Sequence, residues 1–432
     1  MTNSAVNSSP SNGDLSDLFK RRRLEILVAT WLAYFGFYFC RKAFYVVKST
    51  MGVELGITAT DLGNIGAVFL ITYTLGQFAS AAFGTWLGPR ILLLVGMALS
   101  VACNIIFGFA DSYETFMVFM AVNGLAQAAG WPSCVGTISS WLRKEERGTI
   151  MGIWATCYQV GGVAATAWAA MWLSQAGFRG AFFASSMVLL AIWFVVFFFQ
   201  RNAPEDRGLP ALPEDEGIEE QDKGSASQKT FWPRVLIINI LLIGLFYFGV
   251  KFIRYALWSW VPFIMENNYG LAGDDAGYVS LIFDFAGLFG TLAAGYYSDK
   301  IFKGKRTPVA FIMLVGMMLS CTALYIVAPM GVFYFAIALA PVGFMLFGPD
   351  SLMTGAAAMD VGSKRVALAA AGIINGMGAC GSVAQEFVVS RMYDQNNGDI
   401  GGILFLFIIA SLTSLLAIIV LLVRAKQGVS TV

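Results

Sequence analysis

The sequence predicts an all-α membrane protein in which twelve transmembrane helices form two similar halves of six. Of the 432 residues, 57% are hydrophobic and 13% are charged, whereas about a quarter of the residues in soluble domains are charged. Apolar runs recur along most of the chain, and a run of about 20 residues is long enough to cross a bilayer as a helix. A sequence repeat near the start of each half supports the division into two.

The predicted spans fall into two groups of six, separated by one long polar segment. The N-terminal half, 24–200, contains spans at 24–48, 61–84, 89–110, 114–141, 149–173 and 178–200. The C-terminal half, 235–424, contains spans at 235–264, 275–297, 307–328, 331–357, 366–391 and 401–424. The segment 201–234 is rich in Pro, Glu, Ser and Gly, which is typical of a flexible linker. Residues 1–23 and 425–432 are predicted to be polar tails.

Charged residues in the loops and at the ends of the spans are distributed unequally between the two sides of the membrane. One side carries most of the basic residues, namely Arg21, Arg22, Arg23, Arg90, Arg143, Lys144, Arg147, Lys300, Lys303, Lys305, Arg306, Lys364, Arg365, Arg424 and Lys426. The other side carries acids, namely Glu54, Asp61, Asp111, Glu114, Glu266, Asp274, Asp275, Asp394 and Asp399. Because Lys and Arg concentrate in cytoplasmic loops, both termini and the linker are predicted to be cytoplasmic. The polar N-terminus does not resemble a signal peptide, and we expect a multi-pass protein of the bacterial inner membrane.

An internal repeat indicates that the two halves arose by duplication. Residues 34–41 have the sequence YFGFYFCR and residues 247–254 have the sequence YFGVKFIR. Further along each half, Asp61-Leu62-Gly63 is matched by Asp275-Ala276-Gly277. Two matches in register favour a true repeat. Two parallel six-helix halves joined by a linker are the architecture of the major facilitator superfamily, which is therefore the predicted fold.

Each repeat ends on an arginine within a predicted span, Arg41 in the first and Arg254 in the seventh. A charge at the centre of a span costs about 2.5–3.5 kcal/mol on insertion scales, so such residues are functional candidates. Tyr34 and Tyr38 share a helix face with Arg41, and Lys251 shares a face with Arg254. If the halves are pseudo-symmetric, these faces meet at a central cavity. Two guanidiniums there offer planar forks suited to a phosphate dianion.

A purely structural role for these arginines is the alternative. Arg41 and Lys42 could extend toward the membrane surface, since long basic side chains can reach the interface from within a helix. Arg254 could instead pair with Asp284 or with another acid inside the membrane. The matched positions of the two arginines favour the binding role, because reaching the interface does not require symmetry.

Three acids lie inside the predicted spans and away from the ends of those spans, namely Asp284, Asp350 and Glu386. In a proton symporter, such groups would carry the coupled proton. Alternatively, they balance Lys251 or Lys42, or orient the arginines. The sequence leaves both roles open.

Several classes of function are excluded by residues that the sequence lacks. It contains no histidine, so neither histidine-ligated metal sites nor histidine acid–base chemistry can exist. The six cysteines form no CxxC pair, and the sequence contains no GxxxxGK[ST] motif for nucleotide binding. Its basic residues do not form the concentrated basic face that is typical of nucleic-acid-binding proteins. We therefore expect no catalytic residues, no metal, no cofactor and no nucleic-acid partner, and we predict that the protein is not an enzyme.

Five motifs resemble the organophosphate:phosphate antiporter family, which includes bacterial glycerol-3-phosphate and hexose-phosphate carriers and animal sugar-phosphate exchangers. They are FYFCRKAF at 37–44, GLAQAAGWPS at 124–133, RGTIMGIW at 147–154, IRYALWSW at 253–260 and GPDSLMTGAAAMD at 348–360. The resemblance covers nearly the whole chain after the N-terminal tail. It implies exchange of inorganic phosphate for a phosphorylated small molecule through one alternating-access site. We expect the transporter to act as a monomer in the lipid bilayer.

The resemblance also implies roles for particular residues. Arg41 and Arg254 would hold the phosphate. The residues implied to line the site are Tyr34, Tyr38, Lys42, Gln127 and Trp131. Tyr158 stands where the glycerol-phosphate carriers have histidine, and Lys251 stands where they have tyrosine. The surroundings that would recognise the organic part of the substrate therefore differ, and Lys251 could favour a more anionic cargo such as a phosphoglycerate or a hexose phosphate.

Two other functions remain open at this stage. One is proton-coupled symport of an organic carboxylate, in which Asp284, Asp350 or Glu386 would take the proton. The other is a transporter-like sensor that binds hexose phosphate and signals to a partner, as some relatives of the family do.

Overall fold

The computed structural model describes residues 12–143, 146, 150–151, 153–210, 234–302, 306–355 and 364–427. Within these ranges the chain forms helices and turns, and no β-strand. Residues 211–233, which make up most of the predicted linker, lie outside the described residues, as do parts of the predicted basic loops at 144–149 and 303–305. The last predicted tail residues, 428–432, and the segment 356–363 lie outside them as well.

The described helices follow the predicted order of spans. In the N-terminal half they are α1 (Asn12–Leu55), α2 (Ala59–Phe109), α3 (Tyr113–Ala128), α4 (Gly130–Trp141) and α5 (Thr156–Phe199). In the C-terminal half they are α6 (Arg234–Tyr269), α7 (Gly273–Tyr296), α8 (Arg306–Val327), α9 (Val332–Gly355), α10 (Lys364–Gln395) and α11 (Gly401–Lys426). Short 3-10 turns at Pro204–Arg207 and Ala328–Met330, and a π turn at Tyr297–Ile301, connect or extend them. Helix α1 begins at Asn12, inside the predicted tail 1–23.

Two long helices contain breaks that divide them into separate membrane-crossing legs. Helix α2 is interrupted at Gly88, where φ is 73° and Pro89 follows. Helix α5 is interrupted at Ala176 and Gly177, the latter with a φ of 66°. A positive φ is readily adopted by glycine and costs other residues strain, so these glycines mark where the chain turns back. Both breaks fall in the gaps predicted between spans.

Nine helical segments within the described residues are long and apolar enough to cross a membrane. Two of the nine are the two legs of α2. The helix α5 counts as one of the nine, although its break divides it into two legs. Each of the twelve predicted spans overlaps a described helix or leg, although the total of twelve stays a prediction. The chain is a multi-pass, all-α membrane protein.

The two halves touch through matched pairs of helices, and small residues allow the close approach. Helix α2 packs against α10, α5 packs against α7, and α1 contacts α6. A side chain at Gly63 of α2 would overlap Ser390 of α10, and a Cβ at Gly277 of α7 would lie 2.8 Å from the Cβ of Ala170 in α5. Small residues permit this approach of membrane helices. The repeated Asp-x-Gly motifs therefore correspond to equivalent contacts between the halves.

The two ends of the bundle differ in charge and are named here by that charge. The acidic end carries Glu54, Asp61, Asp111, Asp274 and Asp399, and the basic end carries Arg22, Arg90, Arg143, Lys300 and Arg424. At the acidic end the two halves contact each other directly. Thr50 donates to Glu266 over 3.2 Å, and Asn267 donates to Ser49 over 2.6 Å. The bundle is therefore closed at this end.

Candidate functional site

Arg41 lies inside the bundle and does not reach the membrane surface. Its residue exposure is 7%, and its Nε donates to Oε1 of Gln127 over 2.9 Å. The guanidinium carbon lies 4.9 Å from the ring centroid of Tyr38 and 4.7 Å from that of Tyr73. Its Nη2 is buried without a hydrogen-bond partner, and no carboxylate among the described residues forms an ion pair with it. Arg41 therefore retains a hydrogen-bond donor and an uncompensated charge.

A buried polar network behind Arg41 fixes the orientation of Gln127. The Nε2 of Gln127 donates to Oγ of Ser100 over 3.1 Å and to Oδ1 of Asn123 over 3.2 Å. Ser100 donates to the same oxygen of Asn123, and Asn123 donates to the carbonyl of Cys40. Because both amide hydrogens of Gln127 are directed at these acceptors, its oxygen faces the arginine. The network holds the guanidinium without neutralising it.

Two aromatic rings connect Arg41 to Arg254 across the two halves. The Tyr38 ring, on α1, lies 5.9 Å from the Trp258 ring, on α6, in an edge-to-face arrangement. The guanidinium carbon of Arg254 lies 5.5 Å from the Trp258 ring. The structure therefore brings the two sequence-predicted arginines to one central region.

Arg254 differs from Arg41 because it has a carboxylate partner. Its Nη1 forms an ion pair with Oδ2 of Asp350 on α9, and its guanidinium carbon lies 4.4 Å from the Phe347 ring. Its Nε is buried and has no hydrogen-bond partner among the described residues. The alternative that Arg254 pairs with an intramembrane acid is thus realised, with Asp350 and not with Asp284.

Asp284 instead binds Lys42, across the interface between the halves. The Nζ of Lys42 lies 3.3 Å from Oδ2 of Asp284 and 3.5 Å from the Trp258 ring. The indole of Trp258 donates to the other oxygen of Asp284 over 2.6 Å. Lys42 is 3% exposed, so it does not extend to the membrane surface either.

Lys251 lies one helical turn before Arg254 on α6. It is half-buried, and its Nζ lies 5.1 Å from the Tyr247 ring and 5.2 Å from the Tyr255 ring. The described part of the chain offers it no ion-pair partner, in contrast to Lys42. Tyr158 of α5 is half-buried and lies close enough to Arg254 and Lys251 to interact with them electrostatically.

Tyr34 and Trp131 form an aromatic wall on the side of Arg41 that faces the basic end of the bundle. Their rings lie 5.3 Å apart, and Trp154 lies 5.4 Å from Trp131. The Tyr34 ring also contacts Tyr38 at 5.9 Å. All nine residues predicted to bind substrate therefore surround one central region, and their roles in binding remain proposals.

Glu386 lies outside this region, in a second buried cluster. Its Oε2 lies 3.1 Å from Nζ of Lys48, and both side chains are 0% exposed. Lys48 also donates to Oγ of Ser259 over 2.8 Å and lies 3.4 Å from the Trp260 ring. The alternative that Glu386 balances Lys42 or Lys251 is not realised, because its partner in the structure is Lys48.

Sequence reasoning missed three residues around these clusters, Lys48, Tyr73 and Trp258. Lys48 carries a usable signal, because it lies seven residues after Arg41 on the same helix face. Tyr73 carries no such signal, since an aromatic residue in an apolar span is usually packing, and its contact with Arg41 depends on tertiary structure alone. Trp258 follows Arg254 by four residues on α6, so their shared helix face was a usable local signal.

Comparisons with known proteins agree with this architecture. A family model for the Major Facilitator Superfamily matches residues 30–385. A "Probable hexose phosphate transport protein" of Chlamydia muridarum is 31% identical over 378 residues, which cover 82% of this chain and 81% of that protein. A "Glycerol-3-phosphate transporter" of Bacillus subtilis is 28% identical over 430 residues, which cover 95% of this chain and 94% of that protein.

A solved structure shares the fold at low sequence identity. It is a bacterial homolog of the human lysosomal transporter Spinster, in an inward-facing and unoccupied conformation. It superposes with a TM-score of 0.70 at 16% identity and covers 94% of this chain and 96% of that one. The predictions of an all-α major facilitator fold and of a transporter instead of an enzyme are confirmed. The chain belongs to the Major Facilitator Superfamily, and its predicted resemblance to the organophosphate:phosphate antiporter family is confirmed.

Proposed function

We propose that this protein is a secondary transporter that exchanges a phosphorylated organic anion for inorganic phosphate by alternating access. The supporting observation is the state of Arg41, a buried guanidinium with no carboxylate partner among the described residues and an unpaired Nη2. A buried cation is strongly unfavourable unless an anion compensates it. A phosphate oxygen could accept from Nη2 while Gln127 continues to hold Nε.

The charge balance of the central region supports an anionic ligand. Among the described residues, this region holds four basic side chains, Arg41, Lys42, Lys251 and Arg254, and two carboxylates, Asp284 and Asp350. The two positive charges left over match the charge of a phosphate monoester. The empty carrier would expose this excess to the low dielectric of the bilayer during reorientation, which is costly. Exchange follows, because only a loaded site reorients readily.

Alternating access requires that the closed end opens. In the structure the acidic end is held shut by contacts between the halves at Thr50 and Ser49, and by the Lys48–Glu386 ion pair. The charge bias of the loops supports placing this end outside the cytoplasm. We propose that both termini lie in the cytoplasm of a bacterium, with the protein in the inner membrane.

The contacts of the intramembrane acids support exchange over proton-coupled symport. Asp284, Asp350 and Glu386 each lie against a buried lysine or arginine. A proton carrier would have to leave its cation in every cycle, and each such separation would leave a buried charge uncompensated. In phosphate exchange, by contrast, the ion pairs of Lys42 and Lys48 stay intact while phosphate binds.

Counterflow in proteoliposomes tests the proposal. Vesicles loaded with labelled phosphate receive unlabelled phosphate, glycerol-3-phosphate, glucose-6-phosphate, 3-phosphoglycerate, gluconate or glucose outside. We expect efflux of label with phosphate and with one or more phosphorylated compounds, but not with gluconate or glucose, and no change when the pH gradient is collapsed. Uptake of a carboxylate into phosphate-free vesicles, driven by a pH gradient, would refute exchange in favour of symport.

A further inference from the structure

We propose that three arginines at the basic end of the N-terminal half bind the phosphate group of an anionic phospholipid. Arg90 lies at the start of the second leg of α2, and Arg201 and Arg207 follow the end of α5. These three residues are called the arginine cluster here. None of the described contacts of their side chains reaches Arg41 or Arg254, so this site is separate from the proposed transport site and does not depend on the substrate carried.

The arginine cluster converges on the last carbonyls of α5, which ends at Phe199. Each guanidinium donates to one or more of the carbonyls of residues 197–200, at shortest distances of 2.6 Å for Arg90, 2.6 Å for Arg201 and 3.2 Å for Arg207. The end of a helix leaves carbonyls without partners and carries the equivalent of about half a negative charge, which explains why cations lie there. Because the guanidiniums carry one full positive charge each, the helix end compensates only a small part of the charge of the cluster.

The carboxylates nearest to the arginine cluster are engaged elsewhere. Asp206 accepts from two backbone N–H groups of its own turn, and Glu25 pairs with two other arginines. Among the described residues, no carboxylate forms an ion pair with the cluster. The Nε atoms of Arg90 and Arg207 are buried without a hydrogen-bond partner, and no described residue accepts from Nη1 of either side chain. The cluster therefore retains both positive charge and hydrogen-bond donors.

The positive charges of the cluster lie close enough to act on one another. Burial and the charge of Arg90 lower the pKa of Arg201. Burial and the charges of Arg201 and Arg22 lower the pKa of Arg207. The like charges therefore repel each other in the structure, and an anion between them would remove this repulsion.

Fixed contacts of the backbone keep the cluster together. The Oδ1 of Asn202 accepts from the backbone N–H of Arg90 over 2.8 Å, which joins the break at Gly88 to the end of α5. The fully buried indole of Trp141 donates to the carbonyl of Arg201 over 3.2 Å. The arginines cannot separate widely without breaking these contacts, so binding of an anion is the more direct way to compensate them.

The surface beside the cluster is apolar, which favours a lipid over a soluble phosphate. The guanidinium carbon of Arg90 lies 5.8 Å from the ring centroid of Phe197. Phe197 and Phe198 are 42% and 61% exposed, and Ile91, next to Arg90, is 51% exposed. Basic groups at the cytoplasmic ends of membrane helices bind anionic head groups. A phospholipid supplies both parts, an anion for the arginines and acyl chains for the apolar side chains.

Native mass spectrometry of the purified full-length protein, titrated with phosphatidylglycerol, tests the proposal. We expect phosphatidylglycerol to bind in preference to the zwitterionic phosphatidylcholine. A basic residue near the membrane surface strengthens binding of an anionic lipid about fivefold, so the double variant Arg201→Gln with Arg207→Gln should weaken binding about 25-fold. The double variant Arg201→Lys with Arg207→Lys keeps both charges and should bind within about threefold of the parent.

Lys300→Gln is the matched control, because it removes one positive charge from an exposed side chain at the basic end of the other half. It should leave phosphatidylglycerol binding within about twofold of the parent, as surface substitutions usually do. A loss as large as that caused by Arg207→Gln alone would mean that the lipid responds to overall charge, and the assigned site would be wrong.

Four further results would overturn the proposal. The first two are parent-like binding by the double glutamine variant, and equal binding of phosphatidylcholine. The third is loss of the lipid from the double lysine variant as complete as from the glutamine variant, which would make the loss structural. The fourth is displacement of the lipid by an equal concentration of inorganic phosphate, which would assign the arginines to a soluble anion.

A competing occupant is available within the chain and gives its own result. The stretch 214–222, which follows soon after Arg207, contains six acidic residues. If these acids occupied the arginines, the parent would not bind phosphatidylglycerol, and a variant with amides in place of the six acids would bind it. That pair of results would refute the lipid site, whereas binding by the parent supports it.

Discussion

Two buried charge clusters lie seven residues apart on α1, about 10 Å along the helix, and they differ in how their cations are compensated. Around Lys48, one lysine meets one carboxylate, Glu386, and one hydroxyl, Ser259. Around Arg41, the guanidinium meets an amide and three aromatic rings, and one of its nitrogens has no partner. We call the first cluster complete because its charges balance without a ligand, although Oε1 of Glu386 is buried without a hydrogen-bond partner. We call the second incomplete because its charge is balanced only if an anion enters.

This difference separates a structural contact from a binding site better than burial or charge alone does. Both cations are almost fully buried, and both lie on the same face of α1. The Lys48 cluster joins α1 to α6 and α10, so it holds the two halves together at the acidic end. Ligand binding is expected to depend on Arg41, and stability of the closed end on Lys48.

The largest effect should come from breaking the complete cluster. Removing one partner of a buried ion pair leaves the other charge buried alone, which typically costs about 3–5 kcal/mol. We expect Glu386→Gln to destabilise the ligand-free protein by this amount in thermal unfolding. The double variant Lys48→Met with Glu386→Leu should recover most of the loss, because apolar residues can replace both charges.

An exposed ion pair on the same helix provides the control for this experiment. Lys20 and Asp17 are paired over 3.1 Å, with side chains 68% and 81% exposed, so Asp17→Asn should change stability only slightly. If Glu386→Gln were no more destabilising than Asp17→Asn, the Lys48 cluster would not be the structural element that its burial indicates.

The second prediction concerns the incomplete cluster. Arg41→Lys keeps the charge but loses the planar fork and the Nε bond to Gln127. Two charge-assisted hydrogen bonds contribute about 1.5–3 kcal/mol each, so loss of one or two should reduce phosphate exchange by about 100-fold. Thermal stability without ligand should change little, in contrast to Glu386→Gln.

Arg391→Lys is the matched control, because Arg391 is exposed and, among the described residues, donates only to the carbonyl of Phe387 in its own helix. It should leave exchange within a factor of about two, as surface substitutions usually do. Full exchange by Arg41→Lys would mean that a point charge suffices, and the proposed phosphate grip would then be wrong.

The sequence predicted the helices well because their signals are local. Apolar runs of membrane-crossing length and turns at Gly88 and Gly177 each depend on a few neighbouring residues. Arg41 and Arg254 were also detectable locally, since a charge inside an apolar span is costly wherever the helix packs. The matched motifs added that the two arginines belong to corresponding positions.

The pairing of the charges could not be predicted in the same way. Arg254 and Asp350 are 96 residues apart, and Lys48 and Glu386 are 338 residues apart. Which lysine meets which acid depends on the rotation and depth of helices that are distant in sequence. Lys48 also stands at the last residue of the predicted span 24–48, where a lysine would ordinarily be assigned to the membrane surface.

The third prediction converts the incomplete cluster into a complete one. Gln127→Glu would give Arg41 a carboxylate partner at the position of the present amide oxygen. That carboxylate would compete with phosphate, and we expect the KM for phosphate to rise about tenfold, the value of one charge-assisted hydrogen bond. Gln127→Leu removes the hydrogen bond without adding charge and should have a smaller effect.

Comparison of these two variants determines whether charge or orientation is the main contribution of the amide. If Gln127→Leu raised KM more than Gln127→Glu did, positioning of the guanidinium would matter more than its lack of a counterion. Tighter phosphate binding by Gln127→Glu would contradict the proposed role of the unpaired charge altogether.

The smallest effect should come from weakening the complete cluster without breaking its ion pair. Ser259→Ala removes a hydroxyl that accepts from Lys48 over 2.8 Å, and a hydrogen bond contributes about 1 kcal/mol net. Because Lys48 bridges the two halves only when the acidic end is closed, this loss should favour opening of that end about fivefold.

A cysteine introduced at Thr50, which is half-buried at the interface between the halves, should react correspondingly faster with a membrane-impermeant maleimide. The KM for phosphate should change by no more than this shift in population, since no group that contacts Arg41 has changed. An increase in KM without faster labelling would mean that the two clusters are one functional unit, and the distinction between gate and binding site would fail.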